Sequence, residues 1–168
     1  MPTIFPGRFT ADIDGPFVVF LIGMRVNKPL ALHKWLPVTG AMGPMLRSLY
    51  QNPESGFLGG EAFLYSGGIG LIQYWRSTED LEQFARSPSE THLKAWQRFN
   101  KAVGKDGSVG IWHETYKVAA GGYEAIYGNM PRFGLAAATA HAPVGKRGET
   151  ARERLAAESL AAEGPAVL

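Results

Sequence analysis

Ten consecutive residues, Phe17–Val26 (FVVFLIGMRV), constrain the fold more than any other stretch of the chain. The run is nearly all apolar and rich in β-branched and aromatic side chains. It is far too short to span a bilayer, so it reads as a strand buried on both faces at the centre of a sheet. Asn27-Lys28-Pro29 ends it. A central strand needs partners, and two follow. Phe57–Tyr65 and Ile69–Arg76 have strand character, and Gly67-Gly68 between them is a hairpin signal. Leu30–Tyr50 reads as a helix or a pair of short helices. Leu32, Trp35, Leu36, Met42, Met45, Leu46 and Leu49 give it an apolar stripe, and Pro37, Gly40, Gly43 and Pro44 should kink or break it. Such a stripe can line a ligand site but ordinarily packs on a sheet. Ser77 caps a further short helix, with Thr78-Glu79-Asp80 in its first turn and Leu81, Phe84 and Ala85 toward the core.

The stretch Ser87–Val118 completes the pattern. Ser87 as N-cap, Pro88 at the first helical position and Glu90 three residues on form a capping box. The predicted helix runs to about Val103. His92, Trp96, Phe99 and Val103 share its apolar face, while Lys94, Gln97, Arg98 and Lys101 point elsewhere. Gly104–Gly107 is a turn, and Ser108–Val118 is a strand with Val109, Ile111, His113 and Thr115 on one face. Alternation puts Trp112 and Glu114 on the other face. The element order strand, helix, hairpin, helix, strand is the βαββαβ unit of ferredoxin-like α+β folds. One such unit leaves a sheet face open. Burying it against a second copy closes a barrel, so a homodimer is expected.

The last helix and strand also bring two histidines together. From His92 to Val103 a helix rises about 16 Å. From Ser108 to His113 a strand covers about the same length. Antiparallel packing therefore returns the two imidazoles to one level, one from a helix and one from the sheet. A flat ligand with a metal at its centre would fit between them. Taken alone, a histidine on an apolar helix face is more often a satisfied core residue. The pairing is what gives these two weight.

Composition removes several function classes. The 168 residues are 45% apolar, carry a formal charge of only +2 and show no Lys/Arg block, so the electrostatic footprint of a nucleic-acid binder is missing. There is no cysteine, which excludes disulfides and thiolate chemistry and fits a cytoplasmic protein. The beginning of the chain has prolines and aspartates where a signal peptide needs an apolar run, and no membrane partner is expected. HExxH, GxSxG and nucleotide-binding glycine patterns are absent, and the lone glycine pair Gly67-Gly68 is not followed by a phosphate-binding helix. Asp12 and Asp14 read as turn residues of a mobile arm, not as a cation site.

The segments RSPSETHLKAWQRFNK and VGIWHETYKV, with YEAIYGNMPRFGLAAAT after them, resemble the C-terminal part of the haem-containing aldoxime dehydratases. The similarity spans about Leu81–Ala138. That family has a Thr-His-hydrophobic motif carrying the proximal haem histidine and an aromatic-His-Glu motif carrying the distal catalytic one. The matching positions are Thr91-His92-Leu93 and Trp112-His113-Glu114, at a spacing that looks the same. Over its whole length the chain is similar to the single-domain monooxygenase-like proteins named after an enzyme of fumagillin biosynthesis, in the dimeric α+β barrel superfamily. The resemblance implies haem b as cofactor, His92 as iron ligand, and His113 as distal acid-base. Trp96, Phe99 and Ile111 would be pocket walls, with Trp112 a weaker candidate because it alternates away from His113. The family's distal serine and arginine have no clear counterpart; Arg25, Arg47, Arg76 and Ser66 are all open.

These readings imply an enzyme for a small organic substrate, most specifically one dehydrating an aldoxime to a nitrile. The alternatives are a small monooxygenase, with haem or with no cofactor, a haem-degrading or haem-binding protein, and a binding protein without turnover. The expected organisation is an irregular arm over residues 1–15, a ferredoxin-like domain over 16–140 and an Ala/Glu/Arg-rich tail over 141–168, solvated or docking as a helix on a neighbour. Tyr123–Tyr127 and Gly134–Thr139 read as short extended pieces reaching toward a second subunit. His33 and His141 are expected at the surface.

Overall fold

A computed structural model describes residues 2–86, 101, 103, 105–146 and 148–156. Strand β1 is Phe5–Asp12 and β2 is Phe17–Val26; helix α1 is Leu32–Gln51. Strands β3 (Phe57–Tyr65) and β4 (Gly68–Trp75) form the expected hairpin, and helix α2 is Thr78–Arg86. Strand β5 is Val109–Val118, β6 is Tyr127–Met130, helix α3 is Leu135–Ala138, β7 is Ala140–Pro143 and helix α4 is Ala151–Ala156.

The main sheet has four strands in the order β3-β4-β2-β5, with every neighbouring pair antiparallel. That is the strand order of a ferredoxin-like unit, with the Phe17–Val26 run paired on both edges, as its composition requires. The even-numbered residues of β2 face the helices. Val18 and Phe20 pack with Leu46 and Leu49 of α1, Leu81 and Phe84 of α2, and Trp75. Met24 packs with Trp35, Val38 and Val109. Ser77 Oγ accepts the Asp80 N–H at 3.0 Å, the cap read from the sequence. The turn before β5 is fixed by Asp106, whose carboxylate accepts the Ser108 N–H at 3.0 Å. That bond and the nearby lysines Lys34 and Lys28 hold the carboxyl down at about 2.

Four expectations are corrected. First, α1 is one continuous helix through Pro37, Gly40, Gly43 and Pro44. Packing of Val38, Leu46 and Leu49 on the sheet outweighs the poor propensity. Leu32 and Leu36 of the predicted stripe lie outside that contact, each 52% exposed. Second, the segment taken as an irregular arm contains β1, the middle strand of a second sheet in the order β6-β1-β7. Its sequence, FPGRFTAD, hides this because pairing with β6 shifts register between Phe5 and Arg8. At that irregularity Gly7 has φ +98° and its N–H is bonded to Asn129 Oδ1 at 2.9 Å. Third, residues 135–138 are helical, and they pack on their own chain. Ala138 approaches β3 so closely that a Cβ on Gly59 would lie 2.8 Å from it. The α3 amides find phenol acceptors: the Leu135 N–H on Tyr74 and the Ala136 N–H on Tyr127 Oη at 3.3 Å. Burial, reinforced by Tyr127 and Glu61, pushes Tyr74 up to about 12.

The fourth correction concerns the tail. Its first residues form β7, paired with β1 from Phe9↔Pro143 to Asp12↔Ala140. Helix α4 docks on its own chain through Arg154, which is 5% exposed. Arg154 Nε donates to Glu124 Oε1 at 2.8 Å and Nη2 reaches the same oxygen. Its Nη1 donates to the carbonyls of Gly148 at 3.2 Å and Glu149 at 3.0 Å. Arg8 pairs with Glu149 beside it at 3.0 Å. The second sheet and α3 cover one end of the main sheet's non-helical face, where Ala11, Phe17, Tyr74, Leu135 and Ala136 form a core. No helix among the described residues is long and apolar enough to cross a membrane.

Candidate functional site

The site is built on the β2–β5 pair. Ten successive partners, Phe17↔Val118 to Val26↔Val109, lock the register. His113 stands directly opposite Ile22, and Ile111 opposite Met24. Since Met24 belongs to the helix-side core, period-2 alternation puts Ile111, His113 and Thr115 on the helix side too. His113 is exposed. Its ring lies 5.9 Å from the Phe20 ring, tilted by 41°, and among the described residues it makes no hydrogen bond. An open imidazole stands beside an apolar shelf of Phe20, Ile22 and Ile111.

The neighbours of His113 alternate away as expected. Glu114 accepts a hydrogen bond from the Tyr116 hydroxyl on the opposite face. Trp112 lies flat over Gly23, where a Cβ would come within 2.6 Å of its Nε1. Its N–H donates to Tyr65 Oη at 2.7 Å, and Tyr65 donates to the Met24 carbonyl at 2.7 Å. Trp112 is therefore a fixture of the other face and no wall for a ligand at His113. Arg25 bonds the Ser66 carbonyl at 3.1 Å in the β3–β4 turn. Arg47 and Arg76 are exposed on α1 and beyond β4. No described contact joins any of these to His113.

His92, Trp96 and Phe99 lie outside the described residues. Among the described residues no group of three or more His, Asp or Glu side chains could hold a metal ion. A haem would need a flat apolar bed with a proton-transferring side chain beside it, and the described half of the site offers both, Phe20, Ile22 and Ile111 as the bed and His113 next to them, while the iron-ligand candidate His92 lies outside the described residues.

Two residues escaped sequence reasoning. Gln73 is buried on the helix side of β4, 3% exposed, in register with Phe20. The signal was legible: Ile69, Leu71 and Trp75 share its alternation, so a glutamine stands in a row of core positions. His141, expected at the surface, is half-buried. Its ring stacks on Phe9 at 4.3 Å and meets Phe5 edge-on at 4.9 Å, with Nε2 sealed and unbonded among the described residues. Burial, then the charge of Arg132, lowers its pKa. His33 is exposed, as expected.

The family model described as monooxygenase af470-like matches residues 17–135. The chain belongs to that family. Monooxygenase af470 of Aspergillus fumigatus is 29% identical over 158 residues, covering 77% of this chain and 53% of the relative. The chain thus spans about half the length of that curated relative. An aldoxime dehydratase, OxdRE, in complex with butyraldoxime superposes with a TM-score of 0.61 at 19% identity, covering 77% of this chain and 39% of that one. At that identity the likeness speaks for the ferredoxin-like α+β fold.

Proposed function

We propose that this member of the monooxygenase af470-like family is a haem-dependent enzyme for a small organic substrate held between the helix layer and the β2–β5 strands. The observation that carries the reading is His113, open on the helix side of the central strand pair beside Phe20, Ile22 and Ile111. In this reading His92 holds the iron and Trp96, Phe99 and Ile111 wall the pocket. Haem, when bound, would supply an iron able to bind and activate a substrate nitrogen or oxygen.

The most specific reaction is dehydration of an aldoxime, R–CH=N–OH, to a nitrile and water. His113 has two tasks in it. Its N–H donates a proton to the hydroxyl oxygen, so the N–O bond breaks and water leaves. The freed imidazole nitrogen then accepts the proton of the aldoxime carbon as the C≡N bond completes. The proton balance closes on one residue. The apolar shelf orients the substrate's body beside His113.

The family match favours a second reading, in which the same pocket serves a monooxygenase reaction. A homodimer belongs to either reading. Phe63 and Tyr116, 37% and 49% exposed, lie with Leu21, Tyr65 and Trp112 on the part of the sheet that α3 leaves uncovered, and a second copy would bury them. The test is nitrile production from butyraldoxime by haem-loaded, reduced protein. Wild type should turn over, and His113→Ala should fall by about 10²–10⁴-fold, the range for a lost general acid-base. Turnover unchanged in His113→Ala would overturn the assignment. Oxygen uptake with no nitrile would favour the monooxygenase.

A further inference from the structure

Strand β7 carries an imidazole into a slot made of aromatic rings. His141 stacks on Phe9 at 4.3 Å with the planes 12° apart, and Phe5 meets it edge-on at 4.9 Å. Tyr127 lies 6.5 Å away, tilted by 57°. Its Nε2 is sealed from water and has no hydrogen-bond partner among the described residues. A neutral imidazole fits such a slot because only one of its nitrogens carries a proton. The protonated ring donates from both nitrogens and bears a full charge, so one donor would point into the sealed side with nothing to accept it.

The surroundings offer that charge no relief. Tyr127 on β6 is kept neutral by burial. Beyond β6, Arg132 places a second cation 5.7 Å over the Phe5 ring. On β1, Ala11 stands opposite His141, and alternation sends Arg8 and Asp12 to the other face of the strand. Glu149 is held by Arg8 and Glu124 by Arg154. Helix α3 has no titratable side chain. The strand itself is weakly held: β7 is four residues long and pairs with β1 alone. Its other residues are Ala140, Ala142 and Pro143, so the His141 ring is its one large anchor.

We infer that His141 is an acid-released latch on β7. With the ring neutral, β7 stays closed on β1. With the ring protonated, β7 lifts away and bares Phe5, Phe9 and an unpaired edge of β1. The main sheet stays folded, and Arg154 keeps α4 docked. The sign follows from the closed slot, which lowers the His141 pKa by burial and by Arg132. The open form therefore takes up the proton first, and opening grows as pH falls through about 6.5.

Amide hydrogen exchange of the full chain at pH 7.5 and pH 5, corrected for intrinsic rates, tests this. The opening constant of the β1–β7 amides should rise several-fold, at most about 30-fold, the limit for one proton bound only by the open form. Urea too dilute to unfold the chain should leave that constant nearly unchanged, as a local opening requires. In His141→Phe, which fills the slot without titrating, the rise should vanish; changing this residue alone separates it from the other three histidines. Should that variant fail to fold, the wild type still decides. The Phe9 ring proton resonances should then titrate with the His141 ring, at one shared midpoint below 6.5. A pH-independent opening constant, a rise that persists in His141→Phe, an opening as urea-sensitive as global unfolding, or Phe9 resonances that do not follow His141 would overturn the inference.

Discussion

Replacing Arg154 with methionine tests whether the tail is part of the folded unit. Methionine keeps much of the aliphatic bulk and removes every donor. Two carbonyls, of Gly148 and Glu149, lose their partner, and so does the Glu124 carboxylate. The two neutral acceptors are worth about 1 kcal/mol each. A fully buried ion pair broken on one side costs about 3–5 kcal/mol, but the Glu124 side chain is 26% exposed and can rehydrate, so its share is nearer 1 kcal/mol. The sum is about 3 kcal/mol, or a fall in Tm of about 6–12 °C for a domain of this size. Urea unfolding of wild type, Arg154→Met, Glu124→Gln and the double variant measures it. Because the groups touch, the double variant should cost less than the two singles together by more than 1 kcal/mol. Strict additivity, or an Arg154→Met protein as stable as wild type, would refute the view that this ion pair pins α4 to the chain.

Two more predictions concern the sheet faces. Gly23→Ala puts a Cβ into the Trp112 ring, so it should displace the indole, break its bond to Tyr65 and destabilise by about 1–3 kcal/mol. Trp112 fluorescence should shift to the red, and an unshifted spectrum would count against the packing. His141 is held neutral by burial and by Arg132. The unfolded chain therefore binds its proton first as pH falls through about 6.5, and stability drops below that pH. His141→Phe should be progressively favoured over wild type from pH 7 to 5, and a pH-independent difference between them would contradict the assignment.

The main sheet was legible because its signals are local. An all-apolar run needs two neighbours, a Gly-Gly pair turns a hairpin, and alternation after Ser108 decides which side His113 takes. The second sheet was not legible. β1 finds β6 and β7 more than a hundred residues downstream, and the register irregularity near Gly7 destroys the period-2 pattern that would have marked it. The same distance hid His141, whose stacking partners Phe5 and Phe9 sit on that strand. Arg154 read as a solvated tail charge because its acceptors, Glu124 and two carbonyls, become neighbours only after the chain has folded. Half of the candidate site followed from strand alternation at His113.

The central claim is that His92 holds haem in front of His113. Haemin titration into the full chain, followed by its absorption spectrum, tests it most directly. Wild type and His113→Ala should both give a saturable Soret band at one haem per chain, while His92→Ala should lose or shift it. A wild-type chain without a Soret band, or a band that His92→Ala leaves unchanged, would contradict the account.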